Sequence, residues 1–382
     1  MTTVDPELRD VLREVLAGDL HDRLDQTTGG FDAQLWERLS RLGFTALTAP
    51  EQQGGSGAGW LEAAALLSES AAAAARHLPF AESDLLAHWL LRTAGTPADD
   101  PTTPLTLAIV EPDGTARAVP WLGQVPAVLL FRRPNGTCAV AETPSPPNPD
   151  YSRNQDPENG RNRGPDHSGP PDPDYSRNQG PDYGSNPGAR SGLPRGEMRG
   201  VEEPPGVVEV GAGVLDELVL RGAVARAVQV VGALDAVVRL CVEHSRSRVQ
   251  FGRPIAKFQA VQHLVAEAAA EAALARAAVD AAVLDAAETG ALSAVKVAAA
   301  RSCAGHAVSV VVRNAHQVHG AIGTTQEHPL QLFTLPALDW RGEFGTTRDW
   351  DRFLGETTRT SSLWDVVLGG PADTPSLPGG HR

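Results

Sequence analysis

Apolar residues recur at helical spacing from the start of the chain. Leu8, Val11, Leu12, Val15, Leu16 and Leu20 fall on one face, Leu35, Leu39 and Leu42 repeat the stripe, and an alanine-rich run continues it over residues 60–75. A period near 3.6 predicts amphipathic helices over residues 6–94. The texture changes at Leu105, where residues 105–110, 127–131, 137–140 and 207–210 form short β-rich runs divided by proline and glycine. Helical spacing returns over residues 215–354. Val228, Val231, Leu234, Val238, Cys241 and Val242 make one stripe, and Val261, Leu264, Val265, Ala268, Ala272, Ala275, Val279 and Ala282 make another. The small side chains of the second let helices approach closely, as in a bundle. The pattern therefore predicts a mostly α chain with a small β domain: N-terminal helices over residues 1–104, β strands over 105–214, a C-terminal helical bundle over 215–365 and a flexible tail over 366–382.

Residues 143–205 interrupt the β pattern. They hold 14 of the 30 prolines and all three tyrosines, with one Leu, one Val and one Met. Little apolar surface is available there to offset ordering entropy, so the segment is expected to be a disordered insert outside the fold. It carries a near-duplicate, Pro149-Asp150-Tyr151-Ser152-Arg153-Asn154-Gln155 returning as Pro173-Asp174-Tyr175-Ser176-Arg177-Asn178-Gln179. Expansion of a loop by duplication is its simplest reading.

With 382 residues the chain suits two or three domains. Its formal charge of −14 supplies no basic surface for a phosphodiester backbone, so nucleic acid is not an expected partner. The first 23 residues mix acidic and basic side chains with leucines and lack the apolar core of a signal peptide. No stretch reaches about 18 uninterrupted apolar residues, so a membrane span is not expected either. Cys138, Cys241 and Cys303 are scattered and odd in number, which suits a reducing, cytoplasmic setting rather than a disulfide framework.

Two segments carry more chemistry than the patterning. The first runs Arg246-Ser247-Arg248-Val249-Gln250-Phe251-Gly252-Arg253-Pro254-Ile255-Ala256-Lys257-Phe258-Gln259 between two long helical stripes. A guanidinium, turn N–H groups and a glutamine amide at helix ends suit a pyrophosphate, and an arginine-rich helical hairpin with no ligand is the plainer alternative. The second runs Gln317-Val318-His319-Gly320-Ala321-Ile322-Gly323-Thr324-Thr325-Gln326-Glu327-His328. Its glycines allow close backbone approach, and Gln317 can both donate and accept. His316, His319 and His328 lack a carboxylate or cysteine partner at ligand spacing and read as solvated or core histidines, so no metal site is expected. The loop from Gln53 to Gly59 lacks the Gly-Lys-Ser/Thr ending of a phosphate loop and reads as an inter-helix connection.

In this order and separation the two segments resemble the acyl-CoA dehydrogenase family. The stretch around Gly43-Phe44-Thr45-Ala46-Leu47-Thr48-Ala49-Pro50-Glu51 is similar to that family's N-terminal helical domain. The resemblance implies an N-terminal helical domain, a shortened middle β-barrel and a C-terminal four-helix bundle, with FAD between barrel and bundle and its ADP half crossing a subunit interface. By matching positions, Arg248, Phe251 and Gln259 would meet the pyrophosphate and adenine end of a neighbouring subunit's FAD. Gln317 with Gly320 and Gly323 would form the facing loop, where Ala321 replaces a usual glycine.

The implied reaction is α,β-dehydrogenation of an acyl-CoA thioester, and it requires a carboxylate base. The matching region reads Arg341-Gly342-Glu343-Phe344-Gly345-Thr346, which makes Glu343 the nearest catalytic candidate, displaced by one residue, or roughly 100° of helix. A second family location for the base falls between Glu217 and Asp235, where no carboxylate occurs. Val110-Glu111-Pro112 resembles a flavin-facing Thr-Glu-Pro entry with Val110 replacing the Thr, and the hairpin expected after it is missing. Three readings follow: an active FAD-dependent dehydrogenase working as a homo-oligomer, a degenerate subunit completing the flavin site of a paralogous partner, and a non-catalytic helical scaffold or acyl-CoA-binding module. Retention of Arg248, Gln259 and Gln317 favours the first two, and the depleted barrel favours the second.

Overall fold

The computed structural model describes residues 5–18, 20–25, 30–75, 78–142, 182–185, 193–211, 213–360 and 376–378. The N-terminal helices are α1 (Pro6–Leu16), α2 (Leu20–Asp25), α3 (Ala33–Arg41) and α4 (Trp60–Ala72). Two of them start at side-chain caps: Asp5 accepts from the Glu7 N–H at 2.9 Å with Pro6 at the first helical position of α1, and Asp32 accepts from the Leu35 N–H at 2.9 Å at the start of α3. Leu12, Val15 and Leu16 of the leading stripe are buried. A π-helix, Ala81–His88, runs directly into α5 (Trp89–Thr93) with all eight of its residues buried, Glu82 and Asp84 among them.

The middle region forms two sheets. Strands β1 (Thr106–Val110), β3 (Ala127–Arg132), β4 (Cys138–Glu142) and β7 (Val208–Val210) pair in the order β1-β3-β4-β7, with β1 and β3 parallel. The second sheet sets β2 (Ala116–Pro120) beside β6 (Arg195–Arg199) and β6 beside β5 (Asp182–Ser185), all antiparallel. Alternate residues turn inward, so Ala108 and Val110 of β1, Leu129 and Phe131 of β3, Val119 of β2 and Met198 of β6 close one core between the sheets.

The C-terminal region is a bundle of α6 (Gly213–Ser247), α7 (Gln259–Thr289) and α8 (Ala294–His319), joined by α9 (Gln331–Trp340) and α10 (Thr347–Thr360). α6, α7 and α8 pack on one another, α10 lies on α8, and α4 crosses α6 and α7. The expected alanine stripe of α7 is the buried one: Ala268, Ala272, Ala275, Val279 and Ala282 all face inward. The segment Ala294–Thr324 is long and apolar enough to cross a membrane, yet 61% of its most apolar window is buried inside the fold, as in the core helix of a bundle.

Two expectations need correction. Composition places residues 193–205 in the disordered insert, but β6 forms there and residues 182–185 pair with it. Averaging composition over the whole segment hides its three aliphatic or thioether side chains, and Leu193, Met198 and Val201 are all buried, Met198 completely. The rest of the insert lies outside the described residues. The tail is expected to be flexible over 366–382, but residues 376–378 are placed, with Pro378 packed against Gly345. The remaining tail is likewise outside the described residues.

Met198→Ala should therefore destabilise the protein by about 2–5 kcal/mol through the cavity left between the sheets. Urea unfolding of the variant against wild type measures this, and an unchanged midpoint would mean that β6 does not close the core.

Candidate functional site

Glu343 lies in the turn between α9 and α10, and the chain secures that turn from several sides. Arg301 of α8, only 2% exposed, donates to the carbonyls of Arg341 (3.1 Å), Glu343 (2.7 Å) and Gly345 (3.0 Å). Phe344 has φ +51, an uncommon conformation for a bulky residue, and its ring fills the space above Gly222. A Cβ at Gly222 would sit 2.5 Å from that ring, so only glycine permits this contact between α6 and the turn. The Trp350 indole closes the arrangement by donating to the Phe344 carbonyl at 3.1 Å.

The turn directs the Glu343 carboxylate into a buried ionic quartet. Glu343 Oε1 accepts from Arg195 of β6, and Oε2 accepts from Arg226 Nε of α6 at 2.8 Å. The same Arg226 guanidinium donates to Glu82 of the π-helix and, at 2.7 Å, to Gln229. Side-chain exposure is 2% for Arg226, 6% for Glu82 and 12% for Glu343, so the charges are balanced with little water between them. Burial by itself raises the Glu343 pKa, but the charges of Arg226 and then Arg195, with their hydrogen bonds, outweigh it and hold the carboxyl below its ordinary value. Burial by itself lowers the Arg226 pKa, and Glu343 and Glu82 reverse that.

The quartet forms part of the wall of a cavity of about 450 Å³ that Leu86, Leu107, Ile109 and Phe344 line on the apolar side. Glu111, which the sequence matches to a flavin-facing entry, lines it too and accepts twice from Arg132 at 3.0 Å. Asp339, the remaining carboxylate of the lining, also has a partner.

A second concavity, of about 630 Å³, gathers the two motif segments. After α6 the chain turns through a two-residue hairpin, β8 (Val249–Gln250) and β9 (Arg253–Pro254), with Phe251 at φ +51 and Gly252 at φ +75. Two successive positive φ values match the right-handed strand twist of such short hairpins, and glycine is natural at the second position. Phe251 tolerates the first because its ring meets Phe258 edge-on at 5.9 Å, while Arg253 lies 4.3 Å over Phe258. Phe251 is left 90% exposed. Opposite it, α8 ends at Gly320, whose φ is +64.

Arg248, Phe251, Gln317 and Gly320 thus line one concavity, although about 70 residues separate the two segments in sequence. Gln259 and Gly323, assigned with them from sequence, are not in its lining. Gln259 is exposed in the first turn of α7. Gly323 packs against His319, where a Cβ would come within 2.7 Å of that residue's own Cβ.

His244 and His319 also line this concavity. His244 lies in the last turn of α6, and its ring lies 4.5 Å from that of His319, which in turn meets His328 at 4.8 Å. Burial lowers the pKa of His244 and of His319, which favours the neutral ring at both. Sequence reasoning groups His316 with His319 and His328 and misses His244, because only the fold brings the end of α6 to the end of α8.

An exposed guanidinium, an amide that both donates and accepts, and an exposed aromatic ring form a donor set that fits the ADP half of a dinucleotide. Among the described residues, the lining of the cavity at Glu343 offers arginines but no amide side chain and no exposed aromatic ring.

The quartet sets two expectations. Arg226→Leu leaves Glu82 and Glu343 buried without their shared cation and should cost about 3–5 kcal/mol in urea unfolding. The pH dependence follows from Glu343: its folded pKa is lower than its unfolded value of 4.5, so its stabilisation is complete above that pH and is lost as pH falls through the folded pKa. Unfolding midpoints measured downward from neutral pH should drop in this acid window, and Glu343→Gln should flatten the drop.

Comparison with known proteins agrees with this layout. The family profile described as acyl-CoA dehydrogenase, N-terminal domain, matches residues 3–99, and that of the C-terminal domain matches residues 210–346. Acyl-CoA dehydrogenase IpdE2 of Mycolicibacterium smegmatis is 37% identical over 107 residues, 28% of this chain and 32% of that protein. The match thus spans about a third of the relative's length. In fold, the ChsE4-ChsE5 complex from Mycobacterium tuberculosis superposes with a TM-score of 0.76 at 22% identity, covering 94% of this chain and 99% of that one. Butyryl-CoA dehydrogenase from Megasphaera elsdenii gives 0.69 at 18% identity, over 93% and 99%. With both terminal domains matched and the three-part architecture shared, the chain belongs to the acyl-CoA dehydrogenase family.

Proposed function

We propose that this chain is the non-catalytic subunit of a heteromeric, FAD-dependent acyl-CoA dehydrogenase, and that its β8–β9 hairpin completes the flavin site of a paralogous partner. The reading rests on the state of Glu343. Removal of the α-proton of an acyl-CoA thioester needs a carboxylate with a free oxygen at the reacting carbon, and desolvation usually raises the pKa of such a base toward neutrality. Glu343 has the opposite arrangement, with each oxygen held by a different arginine and its pKa lowered. FAD, when bound, supplies the hydride acceptor. This chain's contribution is positional: Arg248 and Gln317 offer donors to a diphosphate, and Phe251 offers an aromatic face to an adenine. The ChsE4-ChsE5 complex, as its name says, joins two proteins, which gives a precedent for pairing within this fold.

A second reading, in which this chain is itself the dehydrogenase, draws on the place of Glu343 at the wall of an apolar cavity of about 450 Å³ that could take an acyl chain. Mutants of the complex co-expressed with a neighbouring paralogue separate the two. Glu343→Gln should leave turnover with an artificial electron acceptor within about twofold of wild type, and its loss would make this chain the catalytic one. Arg248→Lys keeps the charge but not the planar donor pair, so flavin affinity should fall by about 1–3 kcal/mol, read as flavin per chain by absorbance. Wild-type flavin content in Arg248→Lys would favour a scaffold without a cofactor role.

A further inference from the structure

We propose that His244, His319 and His328 form a three-imidazole binding site for a borderline divalent cation, Zn²⁺ in particular, where the ends of α6 and α8 meet the loop before α9. One ring nitrogen of each residue lies within 4.8 Å of the other two. His319 and His328 stand nine residues apart in one segment, and the tertiary fold brings His244, from the last turn of α6, to them.

His319 is the anchor. Its Nδ1 donates to the Ala315 carbonyl at 2.8 Å, which fixes the tautomer and leaves Nε2 with its lone pair available. The residue is 5% exposed, and Nε2 is buried with no hydrogen-bond partner, the Leu240 backbone being a further polar group that acts on the ring. A buried acceptor in that state is uncommon in a folded protein and calls for an occupant. A carbonyl bonded to the distal ring nitrogen is also the usual means of orienting a metal-ligating histidine. Three imidazoles are a ligand set suited to zinc, with a fourth position open to water or another ligand. Because His244 and His319 line the concavity beside Arg248 and Gln317, the open position adjoins that space.

Closing the site requires some movement. Zinc–nitrogen bonds of about 2.0 Å in tetrahedral geometry put ligating nitrogens about 3.3 Å apart, so the rings must draw together by up to about 1.5 Å. His319 is held in place, whereas His244 and His328 are only partly buried. His328 Nδ1 accepts from the Leu330 N–H at 3.1 Å, and ligation by Nε2 would exchange that bond for one to the metal. His328 should accordingly be the weakest of the three ligands.

The test uses the full-length chain, untagged, flavin-free and stripped with a chelator, so that its outcome is independent of the flavin reading. Zn²⁺ retained after equilibrium dialysis is measured by elemental analysis, and Co²⁺ is added separately to read visible ligand-field bands. Wild type should retain one zinc per chain and develop the cobalt bands. His244→Ala should lose both, His328→Ala should bind at least about tenfold more weakly, and His263→Ala, at an exposed position of α7, should match wild type. His319 is buried and its replacement risks unfolding the end of α8, so the decisive variants are His244→Ala and the His244→Ala/His328→Ala double variant, each checked for a wild-type thermal midpoint without metal. Equal zinc retention in wild type and the double variant would overturn the site, as would no retention by wild type.

Discussion

The fold depends on a single buried guanidinium. Arg226, in the middle of a 35-residue helix, is the shared partner of Glu82 from the N-terminal π-helix and Glu343 from the turn after α9, and Glu343 extends the chain of charges to Arg195 on β6. One member comes from the N-terminal helices, one from the strands and two from the C-terminal region, so the domains are registered to one another by charge as well as by apolar contact. Desolvating four ionised groups is unfavourable unless each is paired, and here positive and negative charges balance two against two. The arrangement adds little net stability over apolar residues of similar size but strongly penalises any packing that separates its members. Arg301 performs a related task with carbonyls, gathering three from the Glu343 turn onto one cation.

The same geometry bears on chemistry. A catalytic carboxylate and a structural one can occupy the same stretch of chain and differ only in what surrounds their oxygens. Here two arginines surround Glu343, one of them delivered by a strand that pairs in an irregular register with β2 between Ala116 and Val119. The site is therefore best understood through its partners. The carboxylate alone, met as a Glu-Phe-Gly-Thr sequence, does not distinguish the two roles.

Legibility in the sequence follows the range of the interactions. Helices with local periodicity, such as α1 with Leu12 and Leu16 or α7 with its alanine face, can be read directly because spacing and burial report the same thing. The motif segments can be read as well, and four of their six assigned residues meet at one concavity. β6 cannot, because one buried methionine in a proline-rich stretch leaves almost no periodic trace. The quartet is also hidden: Arg195 is 148 residues from Glu343 and Arg226 is 117, and an arginine inside an apolar helix carries no sign of which carboxylate it will meet. His244 escapes notice for the same reason.

The hairpin at Phe251 has a consequence for how the molecule can assemble. Its turn holds a bulky residue at positive φ, and Phe258 and Arg253 brace it within the chain. The conformational penalty is met when the chain folds, so a surface that later covers Phe251 has no loop left to order. Docking there is a rigid-body event whose rate is governed by orientation rather than rearrangement. In the chain by itself the ring stands 90% exposed beside Val249 and Ile322, which are also exposed. An apolar knob of this kind favours association with another apolar surface, a second copy of the chain included.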